Sequence, residues 1–510
     1  MIRTVEQYIE SLRDGRVVYY LGEKVKDVTT HPLLRKMVKI GAMDWVLTND
    51  PNQRDLFVTK NEEGEEIHFL WMQPKSKEDL LRRRKIYLEG TQQGGVLLHC
   101  VGVDGLSAAR VLAEKMDKKL GTNYLERVES YRRYLQKTDI GVCGAITDVK
   151  GDRSLHASAQ KQHKDFYVRV VEKRDDGIIV RGAKFHISLA AIANDAIVLP
   201  CRAHAEKDKD YAVVFATPMN AKGIKIINSE PEIRVRDTEE NIWDYPESAH
   251  VGAGDTEALI IFDDVFVPWE RVFMCGEWQY SQDIARLFGT FHRLFGSSRM
   301  VSTYETLTGA AALMAEYNGL MKYTHIRNKL SWLAQTTETF KALSLTSCMY
   351  PEKWPESDIM FPNLMFTNTA KYIFANSFHQ AVKLAQDICG GIAADPISFK
   401  DWNNLEERPY LEKYFGAKAG IPTEHRLRAV RLIHDITSGR HGTMEIHAEG
   451  SLAAQQMMNF FAADWDLYKA SAKRRAGIPG WEKHKFFGKL PNYGDLVESK
   501  MPPIDESYDV

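Results

Sequence analysis

The chain has 510 residues, too many for one compact core at roughly 100–200 residues per domain. It is 44% apolar and 27% charged, and its acids and bases nearly cancel to a net charge of −2, so neither a nucleic acid nor a membrane surface is expected as a partner. The opening MIRTVEQYIESLRDGR lacks the apolar core of a secretory signal, no stretch approaches the roughly 18 unbroken apolar residues of a membrane span, and six cysteines lie scattered singly, which together predict a cytoplasmic protein with reduced thiols.

From Thr4 to about Ala145 the pattern is helical: Val5, Tyr8, Ile9 and Leu12 recur at helical spacing, and Leu80, Leu81, Ile86 and Leu88 stud a charged amphipathic segment. Between about Ile146 and Cys275 short apolar runs over 177–182, 211–216 and 258–263 alternate with Gly, Asp and Pro, which predicts a β domain. After Trp278 the helical period returns, with Leu287, Phe291, Leu294 and Phe295 on one stripe and an alanine-rich core helix from Ala310 to Met314. Pro351, Pro355 and Pro362 mark a connection between two bundle helices, and Pro396 follows Gly390 and Gly391 at another. Pro479, Pro491, Pro502 and Pro503 punctuate a tail with little period, expected to be an extended arm that packs on a neighbouring subunit. The domains expected are 1–145 helical, 146–275 β, 276–470 a helical bundle and 471–510 the arm. This helix–β–helix order leaves a cleft where the three blocks meet.

Standard nucleotide signatures are missing: neither G-x-x-x-x-G-K-[ST] nor a strand-to-helix G-x-G-x-x-G occurs. His434, His441 and His447 do not share one helical face, and no H-E-x-x-H is present, so no metal site is expected. Three segments stand out instead. Thr147, Asp148, Asp152, Arg153 and Ser154 surround a turn-forming glycine, His186 and Ser188 follow a strand, and Gly390-Gly391 would let backbone approach a bulky ligand.

The stretches 147–154, 171–184, 257–268 and 387–391 resemble the corresponding segments of 4-hydroxybutyryl-CoA dehydratase, and with 6–12 and 444–451 the likeness covers most of the chain. The sequence thus resembles the superfamily of 4-hydroxyphenylacetate 3-hydroxylase and 4-hydroxybutyryl-CoA dehydratase, nearer to the dehydratase branch. The resemblance implies an α+β fold of the acyl-CoA-dehydrogenase-like plan, with an N-terminal helical domain, a middle β-barrel domain and a C-terminal helical bundle. It implies FAD as the cofactor, held by Thr147, Asp148, Asp152, Arg153, Ser154, His186, Ser188, Gly390 and Gly391. Hydroxyl, amide and guanidinium donors suit a pyrophosphate and an isoalloxazine edge.

The likeness breaks at the dehydratase's iron–sulfur cluster. It puts Cys100 and His292 on two of the cluster's ligand positions but Val96 and Arg299 on the other two, and two side chains do not hold such a cluster. The cluster is therefore expected to be absent. His292 still suits a general acid or base beside the flavin, and the resemblance places acid–base carboxylates at Glu257 and Glu445. The hydroxylase branch also departs: its arginine, tyrosine and histidine fall near Val101, Gly105 and Gly144. The expectation is a flavin-dependent oxidoreductase or lyase that takes an activated proton from a small acid, presented as a CoA thioester, with His292, Glu445 and Glu257 as catalytic groups. The alternative is a two-component monooxygenase that receives reduced FAD from a flavin reductase and acts on a divergent substrate; a non-catalytic flavin-binding subunit is a third. A homotetramer is expected, as in related enzymes.

Overall fold

The computed structural model describes residues 2–93, 98–229, 257–355, 357–438, 444–487 and 493–503. Val96 and His441, both weighed above, lie outside them. The chain divides into a unit spanning Met1–Gln456 and a second spanning Met457–Val510.

The first unit opens with α1 (Val5–Ser11), fixed by a capping box in which Thr4 and Gln7 each bond the other's backbone N–H. Two short strands, β1 (Val18–Tyr20) and β2 (Glu23–Val25), follow. Among the described residues five helices, α2 (Leu34–Asn49), α3 (Arg54–Phe57), α4 (Lys77–Gln92), α5 (Cys100–Leu120) and α6 (Tyr124–Thr138), build the N-terminal block, with the small hairpin of β3 (Val58–Lys60) and β4 (Glu66–His68) between α3 and α4. A capping box between Ser76 and Asp79 starts α4, and Gly121 with φ +69 stops α5 in the left-handed conformation that glycine adopts without strain.

Among the described residues eight strands follow: β5 (Val142–Ala145), β6 (Arg169–Lys173), β7 (Gly177–Ser188), β8 (Asp195–Val198), β9 (Val213–Pro218), β10 (Ile224–Asn228), β11 (Glu257–Pro268) and β12 (Val272–Cys275). One sheet runs β2-β1-β10-β11-β7-β6 and the other β12-β9-β8-β5. The expected barrel is therefore corrected: among the described residues no strand belongs to both sheets, so the hydrogen bonding does not close. Closure is not needed to hide the apolar faces, because the sheets stack on each other through Phe215 and Phe262, ring centroids 5.9 Å apart and nearly perpendicular. The four-stranded sheet is covered by α5, which approaches closely because Gly102 and Gly105 face Val142 and Ile197; a Cβ at Gly102 would meet Val142 at 2.5 Å. The N-terminal segment also contributes β1 and β2 to the larger sheet, β1 pairing parallel to β10, which the helical reading of residues 4–145 did not anticipate.

The bundle consists of α7 (Ser281–Tyr317), α8 (Thr324–Met349), α9 (Leu364–Cys389) and α12 (Thr423–Ser438), with two short helices, α10 (Phe399–Asn403) and α11 (Arg408–Tyr414), between the last two. The proline-marked segment joins α8 to α9, and α9 ends at Gly390. One apolar core lies between α4, α5, α6, the start of α7 and the four-stranded sheet, a second between the two sheets and α1–α2, and a third among α7, α8, α9 and α12. α7 belongs to both the first and the third. The second unit carries helices at Trp465–Arg475 and Tyr493–Glu498, where an extended arm was expected from residue 471. Among the described residues no helix is long and apolar enough to cross a membrane.

Candidate active site

The loop after β5 is built from its backbone. Asp148 makes an isolated antiparallel bridge with Lys184 on β7, and the Phe185 amide donates to the Thr147 carbonyl at 2.9 Å. The Lys184 ammonium, buried, donates to the Asp148 carboxylate and to the carbonyls of Ile146 and Leu199, while the Cys201 thiol contacts the other Asp148 oxygen at 3.1 Å. Asp148 thus anchors the loop from inside. Farther on, Asp152 accepts from the backbone and hydroxyl of Ser154 at 2.9 and 2.7 Å, which holds its exposed carboxyl below the ordinary range. Gln160 braces the same turn through both the amide and the carbonyl of Asp152, and leaves no room for a Cβ on Gly151. Thr147 and Arg153 make no side-chain hydrogen bond among the described residues. They present a hydroxyl and a guanidinium from a braced loop, a donor set that fits a diphosphate anion.

At the end of β7, Phe185 and His186 together oppose the single residue Leu259 of β11, a bulge between the Lys184/Ile260 and Ile187/Ala258 pairs. His186 takes φ +59 there and its side chain is exposed. Ser188 donates to Glu257 at 2.8 Å, so those two predicted residues meet in the six-stranded sheet. Gly390 adopts φ +84, and a Cβ at Gly390 or Gly391 would meet nothing within 4 Å, so this corner of the bundle is open to an approaching ligand.

His292 lies on α7, its ring stacked between Phe288 and Phe295 at i−4 and i+3, with centroids 5.1 and 5.6 Å away. Its Nδ1 is 3.0 Å from Oδ2 of Asp104 on α5. Burial pushes the Asp104 carboxyl up, and the bond from His292, the charge of Arg83 and the Tyr87 hydroxyl oppose that rise. Cys100, one turn before Asp104, is a buried thiol pushed well above its usual range by burial and by the carboxylates of Asp104 and Asp44.

Two turns along α7 from His292, Arg299 makes a two-pronged bond to Glu445, both distances 2.6 Å, with both partners buried. The Lys371 ammonium of α9 donates to the Glu445 carbonyl at 2.6 Å. Glu449 lies 3.6 Å from Arg299 and 3.9 Å from Lys371, and its side chain rests on Gly296, where a Cβ would come within 2.6 Å of it. Burial lowers Arg293 to about 10 against the pull of Glu449, and lowers Lys371 against Glu449 and Glu445. Glu445 thus meets a guanidinium, where sequence reasoning pictured an apolar flavin face. The sequence reading missed Asp104, Lys371 and Glu449. For the first two a signal exists: each is a lone charge inside an otherwise apolar helical run, and such a charge is buried only when paired.

Val101, Gly105 and Gly144, near which the resemblance puts the hydroxylase's arginine, tyrosine and histidine, are packing sites here. Val101 fills the space that a Cβ on Gly144 would need, at 2.3 Å, and Gly105 lies against Ile197. Among the described residues no group of three or more His, Cys, Asp or Glu side chains is arranged to hold a metal.

An imidazole held by a buried carboxylate and a loop that presents unspent donors are features of an enzyme, and comparison with known proteins identifies which kind. Residues 4–274 match the model of the 4-hydroxyphenylacetate 3-hydroxylase N-terminal region and residues 281–477 that of its C-terminal region, so the chain belongs to that family. It is 34% identical over 497 residues to 4-hydroxybutyryl-CoA dehydratase/vinylacetyl-CoA-Delta-isomerase of Clostridium aminobutyricum, covering 94% of this chain and 100% of that one. It is 29% identical to the 4-hydroxyphenylacetate 3-monooxygenase oxygenase component of Thermus thermophilus, over 87% of this chain and 90% of the other. Among solved structures, an archaeal 4-hydroxybutyryl-CoA dehydratase from N. maritimus superposes with a TM-score of 0.87 at 31% identity, covering 94% and 96% of the two chains. The oxygenase component of 4-hydroxyphenylacetate 3-monooxygenase complexed with FAD gives 0.82 at 25% identity, over 94% and 98%. The chain is accordingly a flavin-dependent enzyme of a family in which the oxygenase component of 4-hydroxyphenylacetate 3-monooxygenase has been solved complexed with FAD.

Proposed function

We propose that this enzyme acts on a small acid presented as a CoA thioester, by proton abstraction coupled to flavin redox chemistry and without an iron–sulfur cluster. The observation that carries the reading is the bond between Arg299 and Glu445. A guanidinium does not ligate iron, and here it is spent on a carboxylate. His292 is left as an imidazole oriented by a carboxylate, an arrangement that suits a proton acceptor. Glu445, held on two oxygens by Arg299, anchors the turn that contains it. Glu257, which accepts from Ser188, is the second proton carrier proposed.

Thr147, Arg153, His186, Gly390 and Gly391 are proposed to touch FAD, while Asp148, Asp152, Ser154 and Ser188 hold the loop and strand end in shape. FAD supplies a store for the electrons released when a C–H bond breaks. The thioester carbonyl makes the α-proton acidic enough for an imidazole to remove. Without a Lewis acid to draw off a poor hydroxyl leaving group, dehydrogenation, isomerisation or elimination of an easier leaving group is favoured over dehydration of 4-hydroxybutyryl-CoA. A homotetramer is proposed as the working assembly. The packed Val101, Gly105 and Gly144 positions weigh against the alternative, a two-component monooxygenase fed by a separate reductase.

The test incubates FAD-loaded protein in D2O with butyryl-, crotonyl- and vinylacetyl-CoA and follows α-deuteration by mass spectrometry. Exchange with at least one thioester is expected. No exchange with any, together with hydroxylation of a phenol by reduced FAD and oxygen, would overturn the reading in favour of the monooxygenase.

A further inference from the structure

Three helices converge on one carboxylate. Asp104 is 1% exposed, and its two oxygens face different elements: Oδ2 lies 3.0 Å from His292 Nδ1 on α7, and Oδ1 lies 3.5 Å from the Tyr87 hydroxyl on α4. Arg83, also on α4 and buried, donates to the carbonyls of Leu70 and Met72 and adds positive charge near the carboxylate. Tyr87 reaches Asp104 directly and His292 only through Phe295, because its ring packs edge-on against that ring, one of the two that clamp the imidazole. The imidazole itself keeps 16% of its surface, so Nδ1 is spent on a buried carboxylate while the ring retains contact with open space. The groups facing the pair are Cys100 on α5, Arg83 and Tyr87 on α4, and Phe288 and Phe295 on α7. Such an arrangement is expensive to bury unless its polar atoms are used.

We propose that Asp104 is the positioning residue of this enzyme, fixing His292 with its proton on Nδ1 and its Nε2 lone pair free to take a proton from substrate. An ionised carboxylate only accepts hydrogen bonds, so the ring nitrogen facing it must carry hydrogen, and in the neutral ring the other nitrogen is then the acceptor. The two stacked phenyl rings stop the imidazole from turning, and Tyr87 stops the carboxylate from turning. The role given to His292 rests on the function proposed above; the claim about its tautomer does not.

Two measurements separate these. The first reads the ring nitrogens of His292 by 15N NMR of histidine-labelled, FAD-loaded protein, with His292→Gln to assign them. One protonated and one bare nitrogen with well-separated shifts are expected, and Asp104→Asn brings the two shifts together or exchanges them as the tautomer is released. The second reads thioester α-proton exchange. Asp104→Asn and His292→Gln each lower kcat by about two orders of magnitude with KM changed little, and the double variant is no slower than His292→Gln alone. Tyr87→Phe, which keeps the ring contact and removes only the hydroxyl, gives a smaller loss in the same direction and serves if Asp104→Asn does not fold. Unchanged ring-nitrogen shifts in Asp104→Asn, or losses that multiply in the double variant, overturn the inference. Full activity in His292→Gln instead overturns the catalytic role of that histidine and leaves the tautomer to be judged by the ring nitrogens alone.

Discussion

Removing the Arg299 guanidinium should cost more than any surface change of similar size. In Arg299→Leu the Glu445 carboxylate keeps no share of the two 2.6 Å bonds, and Glu449 loses a cation 3.6 Å away. Breaking a buried ion pair from one side costs about 3–5 kcal/mol, because the remaining charge stays desolvated. Spread over a unit spanning Met1–Gln456 at roughly 2.1 cal/mol/K per residue, each kcal/mol moves Tm by about one degree, so a fall of about 3–5 °C is expected. Arg299→Leu combined with Glu445→Leu removes both charges and should regain most of that loss, since two apolar groups replace a pair whose desolvation had offset much of its attraction. Scanning calorimetry or a dye-based melt of the FAD-loaded protein measures both. An unchanged Tm in Arg299→Leu, or a double variant that loses the sum of the two single losses, would refute the claim that this pair clasps the bundle.

His99 is fully buried, with its ring nitrogens 2.9 Å from Asp44 and 3.2 Å from Asp139; burial alone would lower it, yet those two carboxylates push it up to about 9. The folded value lies above the unfolded one, so its contribution is complete below about pH 6.5 and is lost as pH rises through 9; Tm should fall across that window, reflecting on the order of a few kcal/mol, and His99→Gln should flatten the fall. Arg153→Ala removes an exposed donor and should weaken FAD binding by about ten- to a hundredfold in a fluorescence titration of apoprotein while leaving the apoprotein Tm unchanged. Equal affinity for the two proteins would take Arg153 out of the cofactor site. Light scattering should give four times the mass of one chain. In the second unit Phe460, Phe461, Trp465 and Tyr468 are exposed, and Phe461→Asp should shift that mass downward if they cover a neighbour.

How far the sequence could be read differs between fold and site. The helical stripe of Leu287, Phe291, Leu294 and Phe295 lies on α7 as its spacing predicts, because that face of the helix is buried in the core shared with the N-terminal helices. The β texture was equally plain, but whether strands close into a barrel depends on which edges pair, and local periodicity carries no information about edges. At the site, residue type pointed to His292, and it gave no hint of Asp104, 188 positions earlier. Asp148, Asp152 and Ser188 look like ligand donors in sequence, yet each finds a partner within the protein, which only three-dimensional proximity decides.

Cys100 shows why one residue of a ligand set does not predict the set's function. A thiol binds iron as thiolate, and a thiolate needs positive charge nearby. Here the nearest ionisable neighbours that shape it are the carboxylates of Asp44 and Asp104, which with burial hold the proton on sulfur. The cation beside Asp104, Arg83, is already committed to the carbonyls of Leu70 and Met72. An iron bound there would itself have to supply the charge that displaces the thiol proton, since the carboxylates that shape Cys100 oppose it. With two of the four ligand positions filled by other residue types, Asp104 is left to serve the imidazole of His292.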